Sequence, residues 1–174
     1  MSKVNEIKME KFSIPAVAGI IEKTIEGKKY ILIQQRVKED CPGERGLFEI
    51  PAGKIREFEN IFECLKREVF EETGLRVTKI EGKENIDIET IEQNNYKVIT
   101  FEPFFTSQNI SGNYPIMVLT FICRAEGIIA EKTNEAENIN WISLDDLSKK
   151  LIEEQNSFYP MHIASLKKYL KEEL

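Results

Sequence analysis

Histidine is almost missing from this chain: His162 is the only one among 174 residues. A His-rich metal site is therefore excluded, and a His-led catalytic triad could rest on His162 alone. Cysteine is scarce too. Cys41, Cys64 and Cys123 are three in number and far apart, which fits reduced thiols and argues against a disulfide framework or a thiolate zinc site. Apolar stretches such as FSIPAVAGII from Phe12 and IMVLTFIC from Ile116 are too short to cross a bilayer. The opening MSKVNEIKMEKF has no apolar core of the signal-peptide kind, so a cytoplasmic protein without a membrane partner is expected. Positive charge is in deficit, with a formal net charge of -6. That disfavours a nucleic-acid polymer as partner, since such partners call for clustered Lys and Arg. A small anionic substrate stays compatible if a bound cation screens it. With so few nitrogen and sulfur ligands, that cation would be held by oxygen, as magnesium, manganese and calcium are.

What is present reads as one ordinary globular domain over residues 1–174, with 41% hydrophobic and 31% charged residues and no repeat or linker. Stretches rich in β-branched and aromatic residues predict strands at about Phe12–Ile21, Tyr30–Gln35, Arg76–Gly82, Val98–Phe105 and Met117–Ala125. Helical patterns cover Asn60–Thr73, Leu144–Glu154 and Met161–Glu173. Ser143 with Asp146 forms a capping pair before the second, and Pro160 precedes the third. Strands first, one helix mid-chain and two at the end predict a mixed α/β domain with helices packed on a strand-built core. The segment Asn85–Pro115 is the least regular. There Phe101 reads as core, whereas Phe104, Phe105 and Tyr114 could equally be core or contact a substrate from a loop.

The middle helix carries the chemistry. In REVFEETGL, Glu68, Glu71 and Glu72 crowd into five positions, and like charges three or four apart on a helix repel. Asn60 and Glu63 read as a capping box and Gly74 as the stop. Phe58, Phe62, Leu65 and Val69 then form the apolar stripe. Glu68 and Glu72 project about 40° apart on its flank, with Glu71 about 60° beyond Glu68. Arg67 can pair with Glu71 four residues on. A solvated acidic face would account for the charges, but the pair lies at the edge of the core rather than opposite it. Just upstream, LFEI leads into Pro51, Ala52 and Gly53, where a glycine lets backbone carbonyls approach a ligand. Carboxylates and a carbonyl converging there suit a hard cation.

From Gly53 to Leu75 the chain reads GKIREFENIFECLKREVFEETGL, 23 of 174 residues. It resembles the signature of the Nudix hydrolases at every defining position: Gly53, Glu59, Arg67, Glu68, Glu71, Glu72 and Gly74, with apolar residues at Val69 and Leu75. The resemblance implies an α/β/α sandwich with a mixed β-sheet and a loop–helix–loop catalytic motif. It further implies hydrolysis of a nucleoside diphosphate linked to another moiety, with Mg2+ or Mn2+. By the same resemblance Glu68 and Glu72 are the principal metal-binding carboxylates, Glu71 assists, and the Ala52 carbonyl is a further ligand. Arg67 orients the catalytic carboxylates and Glu59 supports the loop–helix–loop, often by pairing with that Arg. The general base is Glu68 or a loop glutamate. Glu135, six residues before Trp141, stands where many relatives carry one, and Glu137 is the alternative.

IPAGK resembles the ADP-ribose and nucleotide-sugar branch, whereas the nucleoside-triphosphate branch tends to have a second Gly at the position of Ala52. ADP-ribose pyrophosphatases often have a Pro about fifteen residues past the motif, where this chain has Thr90 and Ile91. Phe58 stands where many relatives have Gly. The family is often dimeric, so a homodimer is compatible. Outside the motif, Arg36, Lys38 and Arg45 are candidates for phosphate contact. His162 reads as a helix-start residue, Cys64 as packing, and Cys41 as a loop thiol. The first reading is a metal-dependent pyrophosphohydrolase of a small nucleotide derivative, most plausibly ADP-ribose or a nucleotide sugar. Alternatives are a nucleoside-triphosphate pyrophosphohydrolase, a nucleotide-sensing domain without turnover, and a cation-stabilised structural domain.

Overall fold

In the computed structural model, residues 10–37, 42–82, 91–93, 96–112 and 114–174 are described. Lys38, Cys41 and Thr90 lie outside them. Strand β1 (Ile14–Ile25) divides its side chains by parity. Ala16, Ala18 and Ile20 enter one apolar cluster, while Val17 and Ile21 enter a second. That is the period-two alternation of a strand covered on both faces. β2 (Lys28–Arg36) behaves alike, with Ile31 and Ile33 in the first cluster and Leu32 in the second.

The chain continues through β3 (Phe48–Glu49), β4 (Ala52–Lys54), α1 (Ile61–Thr73), β5 (Arg76–Ile80), β6 (Ile91–Gln93), β7 (Tyr96–Val98) and β8 (Phe105–Gln108). It ends with β9 (Ile116–Glu126), β10 (Ala136–Ser143), α2 (Leu144–Glu153) and α3 (Pro160–Glu173). The main sheet runs β10-β2-β1-β9-β5, with β3 paired to β2, β4 to β1 and β8 to β9. β1 and β9 are parallel from Ile14↔Ile116 to Ile21↔Cys123, and the other pairs are antiparallel, so the sheet is mixed. Helix α1 covers one face through Ile61, Phe62, Leu65 and Val69. The other face takes α2 and α3, through Leu144, Leu147, Leu151, Leu166 and Tyr169. The result is an α/β/α sandwich.

The structure revises several sequence-based expectations. Phe58 is not on the apolar stripe: it precedes the helix, is 99% exposed and has φ of 56°. Position 58 is part of the turn into α1, so helical spacing does not extend to it. Glu63 does not complete a capping box but pairs with Lys66 at 2.7 Å. The strand expected over Val98–Phe105 is two short strands, β7 and β8, because residues 99–104 leave the ladder. Phe101 packs beside Phe62 and Phe121, as core. β4 and β10 emerge from stretches whose polar residues hide a strand pattern: AGK and AENINWIS.

Candidate active site

Helix α1 is held at both ends. The side chain of Asn60 accepts the Phe62 N–H, and Gly74 closes the helix in the left-handed region at φ 78°. A side chain at position 74 would also collide with the Ile128 carbonyl, so glycine is needed there twice over. Between these ends Glu68 and Glu72 are buried, Glu72 with only 1% of its surface exposed, while the Glu71 side chain is 50% exposed. A carboxylate kept inside must be compensated by hydrogen bonds or charge. Both are.

Arg67 gathers the outer carboxylates. Its Nε and Nη2 donate to the two oxygens of Glu59 at 2.7 and 2.8 Å, a two-pronged pair. Its Nη1 reaches Glu68 at 2.5 Å and Glu71 at 3.2 Å. The guanidinium holds Glu59 well below the usual carboxylate range, at about 2, and Arg67 is itself raised, chiefly by Glu59. Beside them, burial pushes the Cys64 thiol up to about 12. This is an unreactive packing thiol.

Glu72 faces inward. Its Oε2 accepts the Ala52 N–H at 3.0 Å and the Gln34 Nε2 at 2.7 Å. Behind Gln34, Glu49 pairs with Arg36 at 2.9 Å, and Arg36 reaches Glu44 at 3.0 Å while stacking 4.7 Å over the Tyr159 ring. Burial works against the charge of Arg36, but Glu49 outweighs it and raises the guanidinium above its ordinary value.

A cleft of about 840 Å³ opens over this helix edge. Glu68, Glu71 and Glu135 line it, together with Ala52 and Gly53. Arg45, Lys54, Arg56 and Lys132 supply positive charge around the same cleft, and Tyr114 and Tyr159 supply rings. Of the candidate residues, Arg67, Arg36 and Tyr114 also line it. Phe104 packs edge-on against Tyr169 at 6.3 Å, under Lys168, and Phe105 pairs with Thr120 across β8 and β9. Neither contributes to the cleft lining. Glu137 pairs with Lys132 at 2.9 Å, also away from the lining, whereas the carbonyl of Glu135 is pinned by the Val37 N–H at 3.0 Å. His162 is fully buried at the cleft, its Nδ1 accepting the Ile50 N–H at 3.3 Å. Gln34, Glu49 and Tyr159 were not singled out by sequence reasoning. The first two were legible only as polar interruptions of ILIQQR and LFEI.

A family model described as the NUDIX domain matches residues 14–161. The chain belongs to the Nudix hydrolase family. Its fold is shared with the MutT protein from Methanosarcina mazei Go1, at a TM-score of 0.63 and 19% identity over 95% of this chain and 98% of that one. The NUDIX domain of Shewanella oneidensis NrtR, solved as a complex with ADP ribose, gives a TM-score of 0.65 and 15% identity over 95% and 91%. A NUDIX hydrolase from Nitrosomonas europaea gives 0.58 and 19% over 92% and 90%. No curated protein sequence matches the chain.

The Nudix helix edge offers the donor chemistry of a divalent-cation site. Its donors are carboxylate and carbonyl oxygens, the chemistry that magnesium and manganese prefer. Gly53 has no side chain where the Glu68 carboxylate lies, since a Cβ there would overlap it. That cradle brings the carboxylate against the backbone of β4. Among the described residues no three Asp, Glu, His or Cys side chains are grouped so as to hold a metal ion by themselves. Glu68 is turned to Arg67, and Glu72 to Gln34 and Ala52. The donor set fits a hard cation that keeps part of its water shell. Among the described residues no helix is long and apolar enough to cross a membrane.

Proposed function

We propose that this Nudix protein hydrolyses the pyrophosphate bond of a nucleoside diphosphate linked to another moiety, with ADP-ribose or a nucleotide sugar as substrate. The observation that carries this reading is Glu68, buried on the wall of a cleft that six basic residues also line, with Glu72 buried one helical turn further on and bonded to the N–H of the cleft residue Ala52. Glu68, Glu72, the Ala52 carbonyl and the more exposed Glu71 would hold Mg2+ or Mn2+. Bound there, the cation supplies charge neutralisation of the diphosphate and a water acidic enough to ionise near neutral pH.

The chain's own groups do the rest. Arg67 keeps Glu68 in one orientation through its bond at 2.5 Å, itself braced by Glu59. Glu135 stands on a loop of the same cleft and takes the proton of the attacking water, a role that needs only hydrogen-bond reach. Arg45, Lys54, Arg56 and Lys132 offset the phosphate charge, and Tyr114 offers a face for a base or sugar. Arg36 steadies the wall of the cleft through Glu44 and Glu49.

A second reading, hydrolysis of a nucleoside triphosphate, draws on the likeness to a MutT fold. Release of products separates the two. Incubation with Mg2+ and a panel of ADP-ribose, nucleotide sugars and nucleoside triphosphates should release nucleoside monophosphate together with a sugar phosphate. Release of inorganic pyrophosphate from triphosphates alone would favour the second reading. No turnover across the panel by a folded, metal-binding protein would reject the enzyme reading.

A further inference from the structure

We propose that Gln34 is the positioning residue of Glu72, a role that rests on the metal-site reading above. Parity on β2 sends Leu32, Gln34 and Arg36 to the same side of the strand, and Leu32 packs in the cluster under α1. Gln34 thus meets the inner edge of the helix from below. It is fully buried, as Glu49 and Glu72 nearly are. Its amide nitrogen donates to Glu72 Oε2 at 2.7 Å and has Glu49 Oε1 at 3.4 Å. Two carboxylates on one side fix which way the amide faces, because the flipped group would set oxygen against oxygen. The cost of that choice is visible: Gln34 Oε1 is buried without a hydrogen-bond partner.

Charge explains why the short bond goes to Glu72. Glu49 is satisfied by Arg36 at 2.9 Å, a charge-assisted bond that a neutral amide does not match. Glu72 Oε2 accepts from two neutral donors, the Gln34 amide and the Ala52 N–H. Together they orient a buried carboxylate, and neither donor carries a charge that would compete with a cation. An arginine in place of Gln34 would compete with the metal, and an apolar residue would leave the carboxylate rotating. Partners of this kind, one bond removed from the ion, set ligand orientation and affinity in metal sites generally.

The test measures Mn2+ binding by the protein without substrate, using calorimetry or the paramagnetic signal of free Mn2+, beside thermal melting. Gln34→Met keeps the volume and removes the donor. It should melt within a few degrees of wild type and bind Mn2+ about 10–100-fold more weakly, with kcat lowered and KM for the nucleotide little changed. A residue that merely packs would shift melting and leave Mn2+ affinity alone. Gln34→Asn, an amide too short to reach Glu72, is read in the same way should Gln34→Met fail to fold. Folded variants that bind Mn2+ within about threefold of wild type overturn the proposal. Glu72→Gln separates the two levels. If it loses Mn2+ affinity while the Gln34 variants keep it, only the role of Gln34 falls. If Glu72→Gln binds as wild type does, or wild type binds no Mn2+, the metal-site reading falls and takes the proposal with it.

Discussion

The carboxylate of Glu68 lies where a side chain on Gly53 would stand: a Cβ built there overlaps its carboxyl carbon and both oxygens. A strand residue and a helix residue fifteen positions apart are therefore matched in shape, one by lacking atoms and the other by filling the gap.

Gly53→Ala tests that match. The colliding atoms belong to the free end of a flexible side chain, so Glu68 should swing aside rather than the sheet move. We expect a folded protein melting within a few degrees of wild type, with kcat reduced about 100-fold, the usual effect of an ångström-scale misplacement at a reacting centre. Wild-type turnover by the variant would show that the position of Glu68 does not matter.

Phe58 offers a substitution of opposite sign. It is 99% exposed in the left-handed region at φ 56°, which costs an ordinary residue about 1–2 kcal/mol. Glycine relieves that strain and gives back about 0.5–1 kcal/mol in unfolded-chain entropy. Phe58→Gly should therefore raise the melting temperature by about 1–4 °C, with activity unchanged. A fall in melting temperature would mean that the ring makes a contact worth more than the strain.

Arg36 is nearly buried between Glu44 and Glu49. Removing its charge takes an ion-pair partner from the buried Glu49, and breaking a buried pair in this way typically costs about 3–5 kcal/mol. Arg36→Met should lower the melting temperature by roughly 10 °C. Adding Glu49→Gln should recover part of that loss. If Arg36→Met instead melts like wild type but raises KM for the nucleotide, Arg36 is a substrate ligand and not a strut.

The sequence carried the long, strongly patterned elements because their signals are local. Apolar β1 and β9 and the capped, amphipathic α1 can each be read within about a dozen residues. Phe58 misled because a helical stripe does not reveal where the helix starts, and the left-handed turn before Glu59 breaks the spacing. β4 and β10 stayed hidden because their short or polar sequences gain strand form from partners far along the chain: Val17↔Gly53 and Trp141↔Leu32. The site shows the same division. The glutamates of α1 and their Arg67 are neighbours in sequence, whereas Gln34 meets Glu72 across 38 positions. Contacts at that separation come from sheet order, which no local pattern encodes.

Glu135 and Glu137 sit two residues apart, yet only Glu135 lines the cleft while Glu137 pairs with Lys132. Glu135→Gln should lower kcat by about 10²–10⁴-fold, the range for loss of a general base, with Mn2+ affinity retained. Glu137→Gln should change kcat less than threefold. Unchanged kcat in Glu135→Gln would return the base role to Glu68.

The pair Glu59–Arg67 makes a prediction in pH. In the folded chain Arg67 holds the Glu59 carboxyl at about 2, against an ordinary 4.5. Between those values the unfolded chain binds the proton and the folded one does not, so stability rises with pH across that window. The stabilisation from Glu59 is complete above about pH 4.5 and is lost as pH falls through about 2. Glu59→Gln removes the titrating group, and other carboxylates titrate alike in both proteins. The variant should thus melt below wild type at pH 7, and the gap should close between pH 4.5 and 2. A gap that stays constant down to the lowest pH at which both remain folded would mean that Arg67 does not draw on the charge of Glu59, and that Glu68 and Glu71 suffice to hold it.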